Sequence, residues 1–186
     1  MGDVANLSSV RNAASKISEG FVDVLINNAG LIGPSNLGVH KATSVRELKE
    51  ALTNQSDQWG ATFAVNSTAV ALVSAEFLEL LDAGNTRRGW ASGKLVPGGP
   101  ARERRSVDGI NPDDYRTSQI ITVSSIAAHN RYITAGVAYS ASKSAATAIG
   151  KALATLLSPY GIRSNVIQPG STCPIFLFLS PFFSVT

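Results

Sequence analysis

Three short runs rich in β-branched residues recur along the chain: Phe-Val-Asp-Val-Leu-Ile at 21–26, Gln-Ile-Ile-Thr-Val-Ser at 119–124 and Ile-Arg-Ser-Asn-Val-Ile at 162–167. Segments with helical patterning separate them. This alternation constrains the fold more than any other feature, because strands joined by helices of ten or more residues can only close as right-handed crossovers in a parallel sheet. The expected class is therefore α/β, with functional loops at the carboxyl ends of the strands. Chain length allows one domain with a core: 186 residues, 44% hydrophobic and 16% charged. The formal net charge is +3 and the basic residues gather on no single stripe, so no nucleic-acid partner is expected. A single cysteine, Cys173, excludes an internal disulfide or a Cys-type metal site and fits a reducing compartment. The first residues carry neither a signal peptide nor a myristoylation pattern.

Between the strands the helical readings are specific. Val4, Leu7, Val10, Ala13 and Ile17 predict a helix from the start to about Glu19, ended by Gly20. Ser44 and Glu47 form a capping box ahead of a helix whose buried stripe is Val45, Leu48 and Leu52. Residues 60–81 read as one long apolar helix interrupted by Asn66, Ser67 and Thr68, and 136–158 as an Ala-rich helix stopped by Pro159 and Gly161. Residues 84–118 hold six of the sixteen glycines and seven of the sixteen Lys/Arg, which predicts an inserted surface loop or binding flap. There Arg102, Arg104 and Arg105 could meet an anion, though a solvated charged loop is the plainer expectation. The last stretch, 171–186, holds four of the seven phenylalanines and is too short and interrupted to span a bilayer.

Chemistry concentrates in the third region. Tyr139 and Lys143 stand four apart in the Ala-rich helix, so both side chains leave one face about a turn apart. A phenol with a reference pKa of about 10 works as an acid/base near neutrality only if its anion is stabilised. Three units correspond to ~4 kcal/mol, which a desolvated ammonium together with a cationic cofactor ring could supply and a solvated ammonium could not. Ser125 ends a strand where open α/β sheets place ligand-contacting groups, and its hydroxyl can hold a reacting oxygen beside the phenol; a turn-forming serine is the alternative. Asn66 costs helix propensity, and a buried amide there must be satisfied.

In order, Asp3-Val4, Asn27-Asn28-Ala29-Gly30, Asn66, Ser124-Ser125 with Tyr139-Ser140-Ala141-Ser142-Lys143, and the 162–170 run ending Pro169-Gly170 resemble the classical short-chain dehydrogenase/reductase family. The resemblance implies a Rossmann-like doubly wound parallel sheet over 1–170. It implies hydride transfer between NAD(P)(H) and an alcohol or ketone. Tyr139 would move the proton, Lys143 would hold the nicotinamide ribose, Ser125 would orient the substrate oxygen, and Asn66 would fix a proton-relay water. Asp3 and Val4 would face the adenine, Asn28, Ala29 and Gly30 would line the cofactor after the strand at 21–26, and Pro169 and Gly170 would cover the nicotinamide. A small-molecule substrate, a cytoplasmic place, no membrane, and a homodimer or homotetramer through the helices at 60–81 and 136–158 go with it.

The family's Thr-Gly-x-x-x-Gly-x-Gly turn is not in this sequence. With Asp3 matching the end of the third strand, the expectation is a partial sheet without the first two strands, whose 21–26 strand has an open edge. Residues 171–186 do not follow the family's substrate loop and read as translated out of frame or through an unspliced intron, a reading that transcript sequencing checks. Weak or absent activity is expected of such a chain, and the alternative is a non-catalytic remnant that dimerises through its Ala-rich helices. A serine hydrolase pairing Ser125 with His129 is a third reading, though no Gly-x-Ser-x-Gly elbow is present.

Overall fold

A computed structural model describes residues 2–170. Its centre is a three-stranded parallel sheet in the order β1 (Val24–Asn27), β2 (Gln119–Val123), β3 (Arg163–Ile167). In register, Leu25 faces Ile120 and Ile120 faces Ser164. Helices α1 (Leu7–Ala14), α2 (Val45–Thr53), α3 (Trp59–Phe63), α4 (Ala69–Glu76), α5 (Leu78–Arg87) and α6 (Val137–Leu157) complete it. The expected α/β class is what forms. Among the described residues only β2 is paired on both sides; there β1 pairs with β2 alone, and its Val24 and Ile26 are exposed.

Alternate residues of β2 are buried, and fully buried Ile120 joins Leu81, Leu157 and Ile162 in the core, with Val22, Leu25, Phe77, Leu78 and Leu153 around it. Gly150 lets α6 lie close on the sheet: a Cβ there would stand 2.4 Å from Val166 Cγ2. On the same helix Ser124 Oγ bonds the Lys143 carbonyl at 2.8 Å and Thr147 Oγ1 at 2.7 Å, which pins the carboxyl end of β2 to α6.

Several expectations need correction. The first helix is shorter than 1–19, because Asn6 caps it by accepting from Ser9 N–H and the chain turns after Ala14. Asp3 closes no strand. Its carboxylate takes the Ala5 N–H and its own N–H donates to Ser9 Oγ, since no strand lies beside it among the described residues. The capping box forms, with Ser44 Oγ accepting from Glu47 N–H, but Glu47 reaches back to Thr43 rather than Ser44. The stripe of α2 is not buried: Val45 is 84% exposed, with Leu48 and Leu52 also open, because nothing among the described residues covers it. The long helix breaks twice, at a π-helical turn over Ala64–Thr68 and at Phe77, where the chain bends by 48°.

The insertion starts later than 84 and is held in place. Helix α5 runs to Arg87, and buried Asn85 bonds the Gly161 carbonyl and Ser118 N–H. Arg102 donates to the carbonyls of Ala91, Gly93 and Pro159, and Arg104 to those of Arg88, Asn111 and Pro112 while lying over Trp90 and Tyr115. Both guanidinium groups fasten the segment internally, so the anion-binding expectation fails for them. The Phe-rich stretch at 171–186 lies outside the described residues. No single helix among the described residues is long and apolar enough to cross a membrane.

Candidate active site

Parallel strands place the site at their carboxyl ends. Past β2, Ser125 has an extended backbone and caps the short 3-10 turn Ile126–Ala128, its Oγ accepting from Ala127 N–H at 3.1 Å. Among the described residues its own O–H has no acceptor, whereas Ser124 is buried and engaged with α6. The two serines therefore divide the work: Ser124 anchors and Ser125 stays available. Pro169 comes alongside, its carbonyl accepting from Ile126 N–H at 3.0 Å, and Gly170 stands against the Ile126 side chain.

Half-buried Tyr139 and buried Lys143 lie on the first two turns of α6, and Lys143 Nζ is 5.9 Å from the Tyr139 ring centroid. Nζ donates to the Val123 carbonyl at 2.8 Å. Burial lowers the Lys143 pKa below the ordinary lysine value of 10.5. A cation whose folded pKa is depressed costs stability at pH below that value, and the loss is recovered as pH climbs toward 10.5. The stability of the chain relative to a Lys143→Met variant should thus rise from neutral pH to about pH 10, read by urea unfolding at each pH. A pH-independent difference would remove burial as the cause.

Asn66 sits in the π-helical turn with 1% of its surface exposed. Its Oδ1 accepts from Leu31 N–H at 2.7 Å, and its Nδ2 donates to the Leu31 carbonyl at 2.7 Å and to Ser142 Oγ at 2.9 Å. Ser142 Oγ in turn donates to the Tyr139 carbonyl at 2.8 Å. Asn66 thus braces the loop after β1 against the helix bearing Tyr139. Both amide hydrogens are used, and one Oδ1 lone pair is all the side chain retains for a water.

Gly30 brings these groups together: an added Cβ would stand 3.4 Å from Asn66 Oδ1 and 3.6 Å from Lys143 Nζ. Val4, Asn28 and Ala29 line a small hollow with Ile26, Val65 and Val73, next to the open edge of β1. Gly30, Asn66, Tyr139 and Lys143 therefore form one cluster, with Val4, Asn28 and Ala29 together at its flank. Asp3 stays in its own turn. His129 Nε2 lies 2.8 Å from Gln168 Nε2, which donates to Thr147 Oγ1, and no bond joins His129 to Ser125. Ser142 and the Leu31 backbone were not assigned from the sequence, although Ser142 stands inside the Tyr-x-x-x-Lys segment.

A three-stranded parallel sheet with a serine just beyond its central strand, followed by a helix that carries a tyrosine and a lysine a turn apart, defines an α/β protein of Rossmann-like fold. A model of the family described as short chain dehydrogenase matches residues 1–90 and 111–174, and the chain belongs to that family. The internal unmatched stretch, 91–110, lies within the expected insertion, and 175–186 are also outside the match. Similar curated proteins include the short-chain dehydrogenase/reductase SAT3 of Stachybotrys chartarum, 38% identical over 172 residues covering 90% of this chain and 59% of that protein. The short-chain dehydrogenase/reductase VdtF of Byssochlamys spectabilis is 38% identical over 160 residues, 82% of this chain and 49% of that one. The chain thus spans about half the length of curated relatives it matches. Among solved structures, an NAD+-bound xylitol dehydrogenase superposes with a TM-score of 0.63 at 22% identity, over 95% of this chain and 51% of that one. A Pseudomonas aeruginosa RhlG/NADP active-site complex gives 0.60 at 22% identity, over 91% and 51%.

Proposed function

We propose that this chain carries the acid/base half of an NAD(P)(H)-dependent site that interconverts a small-molecule alcohol and its ketone or aldehyde. The observation that supports it is the notch at Gly30, floored by Lys143 Nζ and Asn66 Oδ1, which any larger side chain would fill. These residues fit the nicotinamide-ribose end of the cofactor. Nothing in the sequence matches the glycine turn that would take the pyrophosphate. Lys143 would hold the ribose hydroxyls, Gly30 and Asn28 would admit the cofactor close to the backbone, and Pro169 and Gly170 would cover the ring. A bound nicotinamide supplies or accepts the hydride at its C4.

The chain's own groups do the rest. Tyr139 O–H gives its proton to the substrate oxygen in reduction and recovers it in oxidation, and Ser125 O–H donates to the same oxygen and fixes its direction. Lys143 favours the phenolate that remains. Asn66, through Leu31 and Ser142, keeps the loop and the helix in register. Titration of the chain with NADPH and with NADH, followed by nucleotide fluorescence, should saturate. Binding should survive Tyr139→Phe and weaken at least tenfold in Gly30→Val, which fills the notch. Failure of both nucleotides to saturate would overturn the reading for this chain.

A second reading is favoured by the exposed apolar residues on the two Ala-rich helices, Leu72 at 38% and Leu156 at 64%. Here the chain is a non-catalytic protein that self-associates through those helices. Sedimentation would then show a dimer disrupted by Leu156→Glu in a chain that binds neither nucleotide. A homodimer or homotetramer is compatible with both readings, as is a cytoplasmic place.

A further inference from the structure

Helix α6 presents Tyr139 on its first turn, where a helix is least secure, and the N-cap position is filled by Gly136, which has no side chain to cap with. The missing cap comes from a distant segment. Asn36 Oδ1 accepts from Val137 N–H at 3.0 Å, the first amide of α6, across 101 positions of sequence. The Asn36 Nδ2 donates to the Ala51 carbonyl near the end of α2 at 2.9 Å, and the side chain is fully buried. We propose that Asn36 is a positioning residue that caps the tyrosine-bearing helix in trans and thereby sets where the Tyr139 hydroxyl stands.

Independent contacts show that this approach is built in. A Cβ at position 136 would lie 2.3 Å from the Pro34 carbonyl oxygen, so only glycine lets the two backbones meet here. Four residues beyond Asn36, the His40 ring stacks on Tyr132 with centroids 4.1 Å apart and planes 9° apart, and its Nε2 lies 2.8 Å from the Ile133 carbonyl. The 34–40 segment thus clasps the 132–137 loop at both ends. Of these contacts only the Asn36 bond reaches the helix backbone itself. Tyr139 lies two positions after Val137, so fraying of the first turn moves the phenol, and displacements near 1 Å are enough to cost catalysis about 100-fold.

Hydrogen exchange of the full chain tests the cap, and turnover tests its consequence. In Asn36→Ala the amides of 137–140 should exchange about tenfold faster, while those of β2 and β3 keep their protection. Asn36→Asp retains the acceptor oxygen at the helix start but loses the donor to the Ala51 carbonyl, so it should restore protection at 137–140 only in part, to a level above that of the alanine variant. Where Asn36→Ala loosens every segment alike, the aspartate variant decides: first-turn protection above that of the alanine variant supports the cap, and equal exchange overturns it. Unchanged exchange at 137–140 in Asn36→Ala also overturns it. The catalytic consequence rests on the proposed role of Tyr139: kcat should fall in Asn36→Ala and recover in part in Asn36→Asp, with KM for the nucleotide little changed. A chain without turnover would refute that role while exchange still reads the cap.

Discussion

In a form of the protein that turns over, replacing Tyr139 by phenylalanine should lower turnover by about 10³-fold or more and leave nucleotide affinity and folding stability unchanged. The substitution removes one oxygen and keeps the ring. Lys143 Nζ retains its bond to the Val123 carbonyl and its place 5.9 Å from the ring centroid, so the packing of α6 against β2 has no reason to change. What is lost is the phenolic proton of the cluster that Tyr139 forms with Gly30, Asn66 and Lys143. Ser125 cannot replace it, because a serine hydroxyl is a far weaker acid than a phenol. Steady-state rates with nucleotide titrations on the same samples separate the two effects. Turnover within tenfold of the native chain would end the assignment of Tyr139 as the proton donor. Equal loss of binding and turnover would instead make the residue part of the nucleotide's seat.

Much of the candidate site is legible in the sequence, for physical reasons that also set the limit of what the sequence shows. The strand and helix periods are local, so the three strands and α6 emerge from the residues themselves, and Tyr139 and Lys143 inherit their common face from the helix. The resemblance to a known family then attached Asn66, Ser125 and Gly30 to the same place, and the structure puts Gly30, Asn66 and Lys143 within contact. Tertiary effects were out of reach. The stripe on α2 has the pattern of a buried face, yet burial depends on a partner that the pattern does not supply, and Val45 is left exposed. Apolar continuity through 60–81 concealed the π-helical turn and the bend at Phe77. Charge in 84–118 suggested ligand binding, but a guanidinium with five donors satisfies backbone carbonyls as readily as an anion, and Arg102 and Arg104 do so. Asn36 was invisible for a similar reason: nothing around it in sequence foretells an acceptor for a helix 101 positions away.

The second large effect concerns stability, and it follows from how little of this sheet is enclosed. Leu81 is fully buried, and with Ile120, Leu157 and Ile162 it forms the described apolar core, against which Val22, Leu25 and Phe77 pack. Those neighbours come from β1, β2, α6 and the residues flanking them, so the cavity left by Leu81→Ala is walled by several elements and collapses little. Truncations of that kind cost about 3–5 kcal/mol. A domain of this size is stable by only about 5–15 kcal/mol, so the variant sits near the limit of folding. With a urea slope of about 2 kcal/mol/M, the midpoint should fall by about 2 M. By contrast, Val45→Ala removes a side chain that touches water in the described structure and should shift the midpoint by no more than about 0.3 M. The pair carries information together. A large loss at Leu81 with none at Val45 locates the stabilising contacts on the sheet side of α5. A comparable loss at Val45 would mean that α2 is covered in solution, and the exposed stripe would then be an interface that the described residues leave open.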